Sequence, residues 1–266
     1  MRVTQLFIHP VKSLGGISVQ SYAVDRFGPQ WDRRWMVVDE QGRFITQRQY
    51  AKMALIRTSM DQDQVTLTVP DGSELQFSSR EFNYETPVTV SVWRDQCVAL
   101  EGRAELSEWL SNQLGIPCRL VFMPEQSRRL VDTAYAENRE TVSFADGFPL
   151  LLTTEESLQD LNLRLGYTVG MNRFRPNLVL DGEQPWQEDT WQRLIVGEAE
   201  FVVAKPCSRC AIPTIDPETG SKQPEVFRTL KQFRQQDGQV FFGQNLLVSK
   251  PGVVRVGDIA RALPLR

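Results

Sequence analysis

The chain has 266 residues, 41% of them apolar and 24% charged, with a net charge of −3 and a pI near 5.4. That length suits one large or two modest domains, and the acidic balance excludes a whole-surface nucleic-acid binder, since phosphate neutralisation needs a basic excess. No apolar run approaches the roughly 18 residues of a membrane span, and the start MRVTQLFIHPVKS lacks the plan of a signal peptide. Four cysteines are too few for a disulfide scaffold, so a cytoplasmic protein with reduced thiols is expected.

In chain order, the first 120 residues read as short strands at 2–8, 17–24, 34–38, 43–46, 64–69, 74–78 and 88–93. Gln41-Gly42 and Asp71-Gly72 stand between alternating apolar runs as hairpin turns. Strands spaced by roughly 8–12 residues predict a barrel or sandwich. A helix over 104–114 interrupts them, with Leu106, Trp109, Leu110 and Leu114 on one face. The polar stretch 124–140 has the length of a linker or an active-site loop. Thr153 and Glu156 then show capping-box spacing, opening a helix with Leu158, Leu161 and Leu165 inward. Strands follow at 177–181, 192–197 and 199–204, and Pro224 precedes a helix bearing Val226, Phe227, Leu230 and Phe233. Strands at 244–249 and 253–257 complete a mostly β (α+β) chain with three helices, a β-rich front part and a barrel-like back part.

The stretch 205-KPCSRCAIPTIDPETG-220 carries the strongest chemical signal. A structural zinc needs four ligands, and the single histidine and the scattered Cys97 and Cys118 supply them poorly. A thioredoxin-like exchanger needs a helix after the pair, which Pro213 and Pro217 disfavour. Two small core hydrophobes are the plain alternative. Against it, Lys205 and Arg209 stabilise a thiolate, Pro206 and Ser208 suggest a turn, and a thiolate suits a soft or high-valent metal. Any such metal would draw its other ligands from a cofactor.

The stretch KPCSRC followed by TIDPETG resembles the signature of MOSC-domain proteins of the YcbX-like group and of their relatives, the mitochondrial amidoxime-reducing components. The segments 8-IHPVKSLGG-16, 32-DRRWMVV-38, 44-FITQRQ-49, 143-SFADGFPLLLTTEESLQDLN-162, 174-FRPNLVL-180, 243-GQNL-246 and 253-VVRVGD-258 resemble the same family in the same order. The resemblance implies an N-terminal MOSC-associated β-barrel domain over 1–122 and a MOSC β-barrel domain with peripheral helices over 123–266. A molybdenum–molybdopterin cofactor would lie between them. It implies that Cys210 is the molybdenum ligand and the catalytic residue. Lys12, Ser13, Arg33, Thr154, Arg175, Asn177, Ser208 and Arg209 would bind the cofactor, arginine being suited to phosphate by its planar fork. Pyridoxal phosphate binding is implied for the family at large only. His9 is expected to be a structural histidine, and Trp31, Trp35, Trp93 and Trp109 to be core or rim.

The implied activity is reduction of N-hydroxylated small molecules: bases, hydroxylamines and amidoximes. Some relatives carry a C-terminal ferredoxin domain, whereas no cysteine follows Cys210 here. Electrons are therefore expected from a separate flavoprotein or iron–sulfur protein, delivered to a monomer with no nucleic-acid partner. Two other classes stay open. One is a sulfur or cofactor carrier with a persulfide on Cys207 or Cys210; the other is a non-catalytic anion-binding β-barrel.

Overall fold

The computed structural model describes residues 1–136 and 139–264. Of the polar stretch 124–140, Glu137 and Asn138 therefore lie outside the described residues. The front of the molecule holds a four-stranded sheet in the order Trp35–Val38, Arg119–Phe122, Asp95–Glu101, Val88–Val92, and a meander Arg57–Asp61, Gln64–Thr68, Glu74–Ser78. In the meander Val65, Leu67, Leu75 and Phe77 alternate inward, as period-2 patterning requires. They join Trp35 and Phe122 in one core, which helix α1 (Ala104–Leu114) closes with Leu106, Leu110 and Leu114. Full burial of such a leucine stabilises the fold by about 1.5–3 kcal/mol. Trp109 packs against the edge of that core and donates to Ser73 Oγ at 3.1 Å.

A nine-stranded sheet forms the back. Its order is Ala260–Pro264, Trp191–Val196, Ala199–Ser208, Gln239–Lys250, Leu150–Thr154, Leu178–Leu180, Val3–Ile8 and Ile17–Val19, with Gln235–Gln236 paired to Gln239–Lys250. Leu150–Thr154 and Leu178–Leu180 run parallel, so a crossover must join them. Helix α2 (Glu155–Leu165) supplies it, and α3 (Glu225–Phe233) packs beside it, with Val226 and Leu230 joining Leu161, Phe174 and Phe242 in one core. The protein is thus mostly β, with three α-helices among the described residues. The first strands of the chain belong to the back sheet, so chain order and spatial layers differ.

Several local expectations change. The single strand expected at 17–24 breaks at Gln20 into Ile17–Val19 and Ser21–Asp25, which sit in different sheets. Residues 43–46 make isolated bridges only, Val38 to Phe44 and Arg43 to Ser91. The α2 N-cap is Thr154, accepting from the Ser157 backbone N–H, one residue later than the Thr153–Glu156 spacing suggests. Thr153 instead lies within strand Leu150–Thr154, which is buried on both faces. Strand Ala199–Ser208 runs on through Lys205, Pro206 and Cys207, where a turn is expected. Pro206 is tolerated because the register shifts on either side of it, and a bulge needs no ladder N–H there. After the cysteine pair the expectation stands: only a short 3-10 turn, Ile212–Thr214, follows, and no α-helix starts at Pro213.

Gly243 shows how closely the back strands approach. Its φ is +77°, and a Cβ there would stand 2.5 Å from the carbonyl oxygen of Leu152 on the neighbouring strand. Gly72 has a similar φ of +88° with nothing within 4 Å of a Cβ. Gly72→Ala should therefore lose only the left-handed penalty, about 1–2 kcal/mol. Gly243→Ala should lose about 1–3 kcal/mol more from overpacking. Denaturant unfolding of both variants measures the gap, and equal losses would contradict the close approach.

Candidate functional site

Three turns meet where the front and back layers join. The 10–13 turn follows strand Val3–Ile8, the 30–34 turn precedes strand Trp35–Val38, and the third ends the 3-10 turn Met171–Phe174. Backbone bonds zip the first two together: Lys12 N–H to Trp35 O at 2.8 Å, Trp35 N–H to Pro10 O at 3.1 Å and Arg33 N–H to His9 O at 2.8 Å. Ser13, Arg33 and Arg175 stand in these turns at φ of +67°, +49° and +55°. Left-handed backbone is uncommon for such residues and persists only where surrounding contacts impose it.

Asp32 is the contact that imposes it on Arg33 and, through Arg33, on Arg175. It is fully buried. Its Oδ1 accepts from the His9 N–H at 2.8 Å and from Asn177 Nδ2 at 2.9 Å, and its Oδ2 pairs with Arg33 Nη1 at 2.6 Å. Asn177 Oδ1 in turn accepts from Arg33 Nη1 at 3.0 Å and from Leu151 N–H at 3.2 Å, while Arg33 Nη2 donates to Arg175 O at 3.0 Å. Asp32 lies within the DRRW motif, but its sequence neighbours carry no sign that its carboxylate is the hub.

These turns wall a cavity of about 470 Å³, within the usual size of a small-molecule site. Lys12, Ser13, Arg33, Arg175, Asn177, Ser208, Arg209 and Cys210 all line it, so eight of the nine residues expected from sequence come together. Thr154 does not. Its hydroxyl is buried at the α2 N-cap, hydrogen-bonded to Ser157 Oγ at 2.8 Å and to Glu188 Oε2 at 3.0 Å, which leaves it nothing to offer a ligand. Asn177 reaches the wall, but its amide is committed to Phe7 O, Asp32, Arg33 and Leu151, making it a positioning residue.

Sequence reading missed four lining side chains. Lys205 was visible beside the cysteines but carried no assigned role; it stacks over the Tyr135 ring at 4.4 Å. Arg48 stacks over Trp93 at 4.4 Å, and Trp93 Nε1 donates to Asp146 Oδ1 at 3.2 Å. Trp93 is half exposed at the rim and Trp35 is core, in line with the expectation for the tryptophans. Asp146 also pairs with Lys12 Nζ at 2.6 Å, and the same ammonium donates to Phe144 O at 2.7 Å. Buried Arg129 fixes that loop by donating to the carbonyls of Ser143, Ala145 and Asp146.

Consecutive residues Cys207, Ser208, Arg209 and Cys210 all reach the cavity, which an unbroken strand would forbid because its side chains alternate. The register shift between Pro206 and Ser208 and the end of the strand break that alternation. Arg209 Nη1 stands 3.2 Å from Cys207 Sγ, and its Nη2 donates to Phe174 O at 2.7 Å.

The electrostatics are lopsided. Lys12, Arg33, Arg48, Arg175, Lys205 and Arg209 face the cavity with one carboxylate, Asp146, in a chain of net charge −3. Burial first, and then the Arg33 charge, pushes Arg175 down to about 9, so at neutral pH it stays charged. Desolvation alone would raise Asp146, but the Lys12 charge and the hydrogen bonds from Lys12 and Trp93 hold it well below the usual carboxylate range. Burial lowers Lys12, with Asp146 acting in the opposite sense. Arg175 Nη2 and Arg209 Nε are buried without a hydrogen-bond partner among the described residues. Such donors cost about 1–3 kcal/mol each unless a ligand accepts from them.

Comparison with known proteins follows the same outline. Residues 1–117 match the family model of the MOSC N-terminal beta barrel domain, and residues 139–261 match that of the MOSC domain. Mitochondrial amidoxime-reducing component 1 of Mus musculus is 33% identical over 96% of this chain and 80% of its own length. That of Homo sapiens is 32% identical over 96% and 81%. The molybdenum cofactor sulfurase of Oryza sativa subsp. japonica is 30% identical over 91% of this chain and 32% of its own length.

The two central arginines should separate in a stability measurement made without added anion. Arg33→Met breaks a buried ion pair and should destabilise by about 3–5 kcal/mol. Arg175→Met removes a poorly compensated charge and one bond, to Leu14 O, and should cost no more than about 1 kcal/mol. Denaturant midpoints check this, and equal losses would contradict the assignment of Arg33 to the frame and Arg175 to the ligand side.

Proposed function

The chain belongs to the MOSC-domain family that includes the mitochondrial amidoxime-reducing components, and from that premise we propose that it is a molybdenum-cofactor-dependent reductase of N-hydroxylated compounds. The observation that carries the reading is one cavity wall bearing the Cys210 thiol beside Arg33, Arg175 and Arg209, the last of which keeps an unbonded buried N–H at Nε. A molybdopterin brings a phosphate, and that N–H in a cationic wall is a donor an anionic oxygen accepts from. A cysteine thiolate is a soft ligand suited to the metal. The residues fit the group on both counts.

Lys12, Ser13, Arg33, Arg175, Ser208 and Arg209 would hold the cofactor and Cys210 would ligate its metal, while Asn177 orients Arg33 from behind. When bound, the cofactor supplies the two-electron chemistry that cleaves the N–O bond. In balance, R–NH–OH takes two electrons and two protons to give R–NH₂ and water. The wall provides for the protons. Lys12 Nζ holds a proton between Phe144 O and Asp146, whose ionised carboxylate keeps that ammonium in place at the wall. Arg48 and Trp93 form the rim over which an uncharged N-hydroxylated base or amidoxime would pass.

Electrons come from a separate flavoprotein or iron–sulfur protein. Cys97 and Cys118 are buried in two different hydrophobic cores, and the sequence carries no GxGxxG dinucleotide fingerprint. Loaded protein mixed with NADPH and an amidoxime should stay inactive until a flavoprotein reductase or reduced viologen is added. Turnover with NADPH alone would contradict this.

A second reading, a sulfur carrier with a persulfide on Cys207, draws on the Arg209 guanidinium at 3.2 Å from that sulfur. Two substitutions separate the readings. Cys210→Ser replaces a soft donor by a hard hydroxyl, and turnover per bound molybdenum should fall by about a hundredfold or more. Cys207→Ser should keep most of it. A dead Cys207 variant beside a live Cys210 variant would favour the carrier.

A further inference from the structure

Behind Arg175 lies a second cavity, of about 330 Å³. It opens between the 15–18 turn, the start of strand Arg57–Asp61, the turn Met171–Phe174 and the 212–218 loop after the cysteine pair. Arg175 and Ile212 line both cavities. Exposed Arg57 and Glu218 stand at its outer side.

Four of its lining side chains carry a buried polar atom without a hydrogen-bond partner among the described residues: His9 Nδ1, Thr58 Oγ1, Arg173 Nη1 and Arg175 Nη2. His9, Thr58 and Arg173 are only 1%, 9% and 7% exposed. Unpaired buried groups are rare in native proteins because each costs about 1–3 kcal/mol. Four around one cavity point to a ligand.

The atoms describe that ligand. The two guanidinium N–H groups can only donate, so they call for anionic oxygen. Arg173 is anchored through its other nitrogen to Asp216 at 2.7 Å, and Arg175 through Nη1 to Leu14 O, so both forks are already aimed. His9 Nε2 lies 3.1 Å from Pro176 O; a carbonyl only accepts, so Nε2 carries the ring hydrogen. Burial, with the charges of Arg175 and Arg33, keeps the ring neutral, which leaves Nδ1 as a lone-pair acceptor. The ligand must therefore present several negative oxygens and one acidic hydroxyl.

We propose that this cavity is a binding site for hydrogen phosphate, whose oxygens accept from Arg173, Arg175 and Thr58 and whose P–OH donates to His9 Nδ1. Sulfate has the same shape and charge but no proton to give at neutral pH. Discrimination between the two follows from the His9 lone pair. Because Arg175 lines both cavities, an anion in this one also alters the charge met by an anion in the other.

The test is calorimetric titration of the purified protein with inorganic phosphate, and in parallel with sulfate, at fixed ionic strength. Thr58→Val removes an unbonded hydroxyl at constant shape, so the melting temperature should hold while the phosphate affinity of this site falls about tenfold. Arg173→Gln should weaken it further, and sulfate should bind here about tenfold or more weaker than phosphate. Arg209 lines the first cavity alone, and Arg209→Met should change phosphate affinity here by less than Thr58→Val does. The proposal is overturned if phosphate binding is abolished by Arg209→Met and unmoved by Thr58→Val and Arg173→Gln. It is equally overturned if phosphate and sulfate bind alike at the site that Thr58→Val weakens.

Discussion

The buried carboxylate of Asp32 is the interaction on which the site depends. It ties together the strand end at His9, the turn carrying Arg33 and the Asn177 side chain from the far end of the chain. Removing one partner from such a cluster leaves a desolvated charge, at a cost of about 3–5 kcal/mol. That cost is what lets Arg33 and, through its carbonyl, Arg175 stay in left-handed backbone. The guanidinium groups then face the cavity without any large rearrangement on binding.

Having compensated Arg33, the fold does not compensate the rest. Arg175 and Arg209 are held by carbonyl oxygens, which orient them without neutralising them. Asp146 pairs with Lys12, and together with Asp32 it offsets only part of the positive charge around Arg175. In a low-dielectric wall such an excess is unfavourable until an anion arrives, and the arrangement stores affinity for one. The cysteine pair enters the same wall because a strand bulge breaks the alternation that would otherwise send Cys207 and Ser208 to opposite faces.

Much of this was legible in the sequence. The alternating runs at 64–69 and 74–78 and the periodic face of α1 appear as read, since one buried face imposes a period that residue types report. The motif residues gathered because PVKS, DRRW, FRPN and CSRC occupy turns and strand ends at the joint of the two layers. Other features carried no local signal. Leu150–Thr154 is buried on both sides, so its apolar run does not alternate and reads into the following helix. Arg57–Asp61 turns Thr58 inward, which weakens its hydrophobic pattern. Thr154 fell among the family motifs, yet its hydroxyl caps α2. Asp32, Asp146 and Trp93 act through partners remote in sequence, and spacing cannot report those.

The cationic wall and the Cys210 thiol are proposed to hold a molybdenum–pterin anion. The direct measurement is the molybdenum and the pterin fluorophore released on denaturing protein purified from cells that make the cofactor. One molybdenum and one pterin per chain is the predicted result. Protein from such cells that carries neither, while folded and with both cysteines reduced, would contradict it.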